Sequence, residues 1–160
     1  MEKNEQGFRE ALEAEKRASV AQLLFKCARL VNERALVRVR ERRGIEIRAA
    51  QTALFPHIDV TRGSRLTDLA QALGISKQAV GQLVDELSDM GMLERRPDPE
   101  DGRAKRVCYT SLGRQGIFDG LAILREEERS MERAIGAEHF SQLHAALIAL
   151  EAVLEPVANP

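Results

Sequence analysis

A polar face with two glutamines and a lysine lies within residues 76–85. Val80, Leu83 and Val84 recur at helical spacing and leave the opposite side of the helix polar. A glutamine amide can pair with the edge of adenine in the major groove of DNA, and a helix N-terminus can bind a phosphate. We therefore expect this face to contact DNA through five residues: Ser76, Lys77, Gln78, Gly81 and Gln82.

A turn-rich stretch at residues 97–104 separates two segments of alternating polarity and predicts a β-hairpin. Arg103 would lie at its tip, where a guanidinium can enter the narrow minor groove of A·T-rich DNA. Asp101 is predicted to orient Arg103 through a charge-assisted hydrogen bond. Basic residues on the two strands can reach phosphates or simply protect a sheet edge. These are Arg95, Arg96, Lys105 and Arg106, of which Arg96 and Lys105 are the favoured DNA contacts.

Helices and two strands are predicted to position these stretches. The helices cover residues 15–43, 45–55, 66–73, 77–90, 111–135 and 138–154, with Pro156 ending the last, and the strands cover 92–96 and 105–110. Residues 1–14 should fray or form a helical lead-in. Ser64, Ser76 and either Thr110 or Ser111 are the predicted N-caps. Two helices joined at Gly74 and followed by a hairpin indicate a winged helix-turn-helix. The predicted fold class is therefore mainly α with a small β-hairpin wing (α+β).

The length of the chain, 160 residues, fits a single domain. Within 1–160 we expect a winged helix-turn-helix lobe at 45–110 and a helical lobe formed by 1–44 and 111–160. The long outer helices carry apolar faces that so small a lobe cannot cover, which favours a two-fold dimer. Five arginines between residues 34 and 43 predict an ion-paired helix surface, with a DNA flank or a dimer bridge as the alternatives.

The order of these motifs resembles the MarR family of winged-helix transcription regulators. The resemblance rests on five segments: Leu66–Val80, Leu83–Leu87, Gly91–Arg95, the hairpin Asp98–Ala104 and the junction Thr110–Arg114. It implies a homodimer that binds palindromic double-stranded DNA, usually represses, and often releases DNA when a small aromatic ligand binds. Gly102 stands where many members have a basic residue, and Gly81 where many have a hydroxyl residue.

A ligand site is implied by the resemblance, between the outer helices and the DNA-binding lobe. Four residues on or near the predicted second helix combine aromatic and polar character, as ligand pockets do: Arg48, Gln51, Phe55 and His57. Each is also compatible with an ordinary core or surface position. We predict no cofactor beyond such a small aromatic effector.

Other chemistry has little support in the sequence. Cys27 and Cys108 are predicted to be small buried hydrophobes, with a thiol-based redox sensor of the same fold as an alternative. His139 and His144 miss the spacing of a metal pair. No phosphate loop or nucleophile motif is present, so we expect no catalytic residue, no metal and no enzyme. The absence of a signal peptide or apolar span predicts a cytoplasmic protein. A winged helix that binds protein rather than DNA is the remaining alternative.

Overall fold

The computed structural model describes residues 2–154, and side chains from residue 5 onward. The elements follow in this order: α1 (Glu2–Ala18), α2 (Val20–Arg43), α3 (Ala49–Thr52), a 3₁₀ turn (Phe55–His57), β1 (Ser64–Arg65), α4 (Leu66–Leu73), α5 (Lys77–Asp89), β2 (Leu93–Pro97), β3 (Lys105–Tyr109), α6 (Ser111–Ile135) and α7 (Ala137–Leu154). The three strands form an antiparallel sheet in the order β1-β3-β2. The predicted mainly helical fold with a β-hairpin wing is confirmed. Pro156 lies outside the described residues.

The predicted helix over 15–43 is wrong at its start, because the chain breaks at Ser19. This residue is extended, with φ −86° and ψ 115°, and its hydroxyl accepts a hydrogen bond from the backbone amide of Gln22 at 3.3 Å. Serine is among the best N-cap residues because its short side chain can replace a missing helical partner. Residues 2–18 consequently form a separate helix rather than a frayed end.

The predicted helix over 45–55 is also wrong. Only residues 49–52 are α-helical, and residues 45–48 form an irregular connection after Gly44. The side-chain oxygen of Gln51 accepts from the backbone amide of Arg48 at 2.8 Å, which holds Arg48 extended and starts the helix late. Pro56 then lies in the 3₁₀ turn, where its missing N–H costs nothing.

Ser64 was predicted to cap the helix at 66–73, but it lies in β1 and pairs with Val107. Its hydroxyl accepts from the amide of Asp59 and donates to the carbonyl of His57, both at 2.9 Å. The preceding residue, Gly63, has φ +69°, and a Cβ there would lie 2.4 Å from the sulfur of Cys108. Only glycine therefore lets β1 approach β3 this closely.

The hydrophobic core lies inside the winged helix. It is built mainly from aliphatic side chains of α4, α5 and the sheet, closed by one tyrosine: Leu54, Ile58, Leu69, Val80, Leu83, Val84, Leu87, Met92, Leu93, Val107 and Tyr109. In α2 only Ala35 is buried, and in the described part of α7 no residue is. Cys27 is exposed on α2, so its predicted burial is wrong for the single chain, whereas Cys108 is half-buried.

Ion pairs join α2 to α6. Glu127 of α6 is 1% exposed and faces two arginines of α2: the Nε of Arg34 lies 2.8 Å from its carboxylate, and Arg38 is also paired with it. Arg42 donates to Glu126 at 2.9 Å, and Arg43 pairs with Asp119. The arginine cluster is therefore an ion-paired helix surface. Four of its five arginines pair with α6, and Arg40 lies 3.9 Å from Glu46.

Candidate nucleic-acid interface

The helix α5 presents the polar face that the sequence predicts. Gly74, with φ +64°, ends α4, and Ser76 caps α5 by accepting from the amide of Ala79 at 3.2 Å. The apolar side of α5 is buried in the core. The opposite side is open to solvent and carries these side chains: Lys77, Gln78, Gln82 and Asp85. A helix held this way by its apolar side can offer its polar side to a groove.

Gly81 lies in the middle of this exposed side. A Cβ built on it would meet no atom within 4 Å, so packing within the chain does not require glycine. Its carbonyl accepts from Arg95 of β2 at 3.4 Å. Glycine in mid-helix costs about 1 kcal/mol relative to alanine. The residue therefore lowers helix stability without a packing reason inside the chain.

The wing is a tight hairpin whose tip is held by Asp101. The amide of Asp98 donates to the carbonyl of Ala104 at 3.0 Å, and the amide of Ala104 to the carbonyl of Asp101 at 2.9 Å. One carboxylate oxygen of Asp101 accepts from the backbone amide of Arg103 at 3.0 Å. The predicted charge-assisted bond is thus made to the main chain of Arg103, and it leaves the guanidinium exposed.

Asp98 anchors the base of the wing. Its side chain is fully buried, 2.6 Å from the Nε of Arg65 and 3.1 Å from the Nε of Arg106, and it accepts from the amide of Glu100 at 3.0 Å. The bond from Arg65 is the main cause that lowers the pKa of Asp98 from 3.8 to about 2, and the bond from Glu100 adds to it. The sequence indicated Asp98 only as a turn residue, because nothing local marks arginines from two other strands as its partners.

The strand arginines are largely occupied within the chain. Arg106 is held by Asp98 and Glu100, and only 15% of its side chain is exposed, so its guanidinium is engaged within the chain. Arg95 pairs with Asp85 at 2.9 Å and Arg96 with Glu94 at 2.6 Å. Among the side chains from residue 5 to residue 154, three exposed cations of this surface have no carboxylate within 4 Å: Lys77, Arg103 and Lys105.

The four residues proposed for a ligand are engaged in separate contacts. Arg48 and Gln51 both bind Glu86 of α5, and Gln51 is 1% exposed. The ring of Phe55 lies 6.3 Å from that of Tyr109, between centroids, and its carbonyl accepts from the Tyr109 hydroxyl at 2.9 Å. Burial raises the pKa of that hydroxyl to about 12, so it remains a donor. His57 is exposed beside them.

A metal site and a membrane-spanning helix were also sought in the described part of the chain. Residues 2–154 contain no group of three or more histidine, cysteine, aspartate or glutamate side chains placed to hold a metal ion. Within the same range, no helix has the length and apolar character needed to cross a membrane.

Comparison with known proteins identifies the lobe that carries this surface. The model of the MarR family matches residues 50–104, from α3 through the wing. Residues 50–104 are thus similar to the winged helix of the MarR family. Solved structures of other proteins are also similar to this chain. One of them is the transcriptional regulator Tm0710 from Thermotoga maritima, which is 27% identical in sequence. Its TM-score is 0.62, and the alignment covers 84% of this chain and 93% of that one.

Two more distant structures share the fold of this chain. Apo wild-type MarR from E. coli is 18% identical, with a TM-score of 0.69 over 82% of this chain and 96% of that one. The repressor CouR, bound to a 23-mer DNA duplex, is 20% identical, with a TM-score of 0.65 over 84% and 94% of the two chains. CouR from Rhodococcus jostii RHA1 has also been solved with p-coumaroyl-CoA. Each likeness covers more than 80% of this chain and so extends beyond residues 50–104.

Proposed function

We propose that this protein is a transcription regulator, a ligand-responsive repressor that binds a palindromic operator as a homodimer. The observation that carries the proposal is the surface formed by the exposed side of α5 and the wing. This surface combines two exposed glutamines with three cations that have no carboxylate within 4 Å among the described side chains. The fold that it shares with CouR, a repressor solved on a DNA duplex, supports the same function.

The helix α5 has the chemistry to enter the major groove. Gln78 and Gln82 lie one turn apart on its exposed side, where an amide can bond to both N6 and N7 of adenine. Ser76 and Lys77 lie at the positive end of the helix, which favours phosphate. Gly81 lies between the two glutamines and lets the backbone approach the DNA closely, because no side chain stands in the way.

The wing supplies the second contact. Arg103 extends from a tip whose backbone Asp101 fixes, so little order must be gained when its guanidinium enters a minor groove. Lys105 and Arg96 flank it and bind the phosphate backbone, Arg96 after exchanging its partner Glu94. Since Arg95, Arg106 and Asp98 hold the hairpin against the rest of the lobe, the wing moves with α5 as one body.

A second copy of the chain covers the outer helices. Large apolar side chains are exposed along α2, α6 and α7, among them Phe25 at 71%, Phe118 at 68% and Ile148 at 54%. A two-fold dimer through these helices removes them from water and places two copies of α5 in successive major grooves, about 34–36 Å apart. A palindromic operator follows from that symmetry.

A small aromatic ligand regulates the dimer by favouring one spacing of the two lobes. The residues proposed to contact it are Arg48, Gln51, Phe55 and His57, which lie between α2 and the winged helix, and no other cofactor is proposed. CouR, solved both with DNA and with p-coumaroyl-CoA, supports this arrangement by analogy of fold. The proposed site of action is double-stranded DNA in the cytoplasm.

Selection from random duplex DNA at near-physiological salt tests the proposal. The purified wild-type protein should enrich an inverted repeat. Arg103→Ala should bind the enriched operator more weakly, and its slope of log affinity against log salt should fall by about one. Arg40→Ala, which removes the same charge from α2 far from the wing, should retain both values. Salt-sensitive binding without enrichment would instead favour a winged helix that contacts protein.

A further inference from the structure

A carboxylate on α5 connects the interior of the lobe to the DNA-facing side. Glu86 lies one turn after Gln82, and its side chain is 29% exposed. One of its oxygens accepts from the side-chain amide of Gln51 at 2.9 Å and also pairs with Arg48. The other oxygen lies 3.5 Å from the amide nitrogen of Gln82. A chain of polar contacts thus runs from a buried glutamine to an exposed one.

The buried Gln51 determines which group donates and which accepts in each of these polar contacts. Gln51 is 1% exposed, and its amide oxygen accepts from the backbone amide of Arg48 at 2.8 Å. Its nitrogen must therefore face Glu86, because the reversed amide would set two donors against each other. The bond from Arg48 is the main cause that lowers the pKa of Glu86, so the carboxylate is ionised at neutral pH and can only accept.

We propose that Glu86 is a positioning residue that fixes the polarity of the Gln82 amide and thereby sets a preference for adenine at the base pair that Gln82 contacts. An acceptor-only carboxylate turns the nitrogen of Gln82 toward itself. One N–H and the amide oxygen of Gln82 then remain free, and these match the N7 acceptor and the N6 donor of adenine. Guanine offers two acceptors at the same edge and does not match.

This inference rests on the proposed function, because it concerns how the operator is recognised. It also assigns Arg48 and Gln51 a task other than ligand contact, since both hold the carboxylate that orients Gln82. A glutamine without such a partner can flip its amide and accept several bases. Gln78 is exposed on the same side of α5 and has no side-chain partner among the described residues. It therefore serves as an internal control for a glutamine whose amide can flip.

The inference is tested by comparing the base preference of the wild-type protein with that of the variant Glu86→Gln. The neutral amide keeps the size of the side chain but can donate or accept, so it no longer dictates the polarity of Gln82. At one position of each half-site the preference for adenine should fall roughly tenfold, within the discrimination of a bidentate pair. Gln82→Ala should relax the same position, and the double variant should relax it no further.

A matched control and a DNA-free measurement separate the possible failures. Asp85→Asn removes the neighbouring charge of α5 and should change affinity while retaining the adenine preference. In ¹⁵N spectra of the free protein, the side-chain amide of Gln82 should differ from that of Gln78 and become similar to it in Glu86→Gln.

Two results would overturn the inference. One is a Glu86→Gln variant whose affinity changes equally for all operators, with the adenine preference intact. The other is a Gln82 amide signal that Glu86→Gln leaves unchanged. If the wild-type protein enriches no sequence, the proposed function fails, and the spectra still decide whether Glu86 positions Gln82.

Discussion

At the scale of single residues, Gly81 is the position where stability and binding should separate. Alanine fits there, since its Cβ would meet no atom within 4 Å. The change removes backbone freedom from the unfolded chain and should raise the free energy of unfolding by about 0.5–1 kcal/mol. The added methyl group should also keep α5 from approaching the groove and weaken operator binding. Urea denaturation and fluorescence anisotropy measure the two effects, and unchanged affinity would contradict the assigned role.

Asp98 should make folding sensitive to acid. Its pKa is about 2 in the folded chain and 3.8 ordinarily, so the folded state favours the ionised form. The resulting stabilisation is fully present above about pH 4 and is lost as the pH falls toward 2. Urea unfolding at a series of pH values should show this loss in the wild type and a flatter dependence in Asp98→Asn. Four other carboxyls have a lowered pKa and are unchanged in the variant, so the difference between the two curves isolates Asp98: Glu13, Asp59, Glu86 and Glu126. Parallel curves would contradict the assignment.

The roles of the surface residues were predictable only where their hydrogen-bonding partners lie close by in the sequence. The two sides of α5 follow from a local period, and Ser76 caps as predicted because its partner is three residues away. The roles of Asp98 and Glu86 were not predictable, because Arg65 is 33 residues from Asp98 and Arg48 is 38 residues from Glu86. No local pattern distinguishes a paired carboxylate from a solvated one.

At the scale of elements, the start of α6 depends on a glycine. The hydroxyl of Thr110 accepts from the amide of Gly113 at 2.9 Å and donates to the carbonyl of Gly91 at 2.6 Å. A Cβ on Gly113 would lie 1.9 Å from the carbonyl oxygen of Met92. Gly113→Ala should therefore displace α6 from β2 and lower the free energy of unfolding by about 1–3 kcal/mol, the range for overpacking.

Chemical denaturation measures that loss, and the same helix supplies the control. Gly120 also lies in α6, but a Cβ there would meet nothing within 4 Å. Gly120→Ala should be neutral or stabilising, since alanine is the better helix former. Equal effects of the two substitutions would show that helix propensity, and not contact with Met92, determines the stability of this junction.

The elements with clear caps and periods were predictable, and the irregular ones were not. Helices α4, α5 and α6 and the hairpin agree with the predicted bounds to within two residues. The strand β1 was missed because two residues are too few to show alternation. The helix predicted over 45–55 is replaced by a short α3, because the side-chain oxygen of Gln51 accepts from the backbone amide of Arg48 and holds Arg48 extended.

At the scale of the whole molecule, the apolar side of α7 should hold two chains together. Leu147 is 41% exposed on a helix with no buried residue in its described part. Leu147→Glu places a charge on that side and should convert the dimer to monomers while helix content stays unchanged. Light scattering after size exclusion measures the mass, and operator affinity should fall because one half-site binds alone. Gln142→Glu, on the same helix, is the control. A dimeric Leu147→Glu variant would place the interface elsewhere.

The ion pairs between α2 and α6 have a consequence for synthesis on the ribosome. Arg42 and its partner Glu126 are 84 residues apart in the chain. Translation adds about 5–20 residues per second, so α2 is made roughly 4–17 s before the helix that neutralises its arginines. The winged helix lies wholly between them, and its hydrogen-bonded partners, such as Phe55 and Tyr109, are at most 54 residues apart. We therefore expect nascent α2 to leave the exit tunnel before its ion-pair partners on α6 exist, and to stay unpaired until α6 has been made.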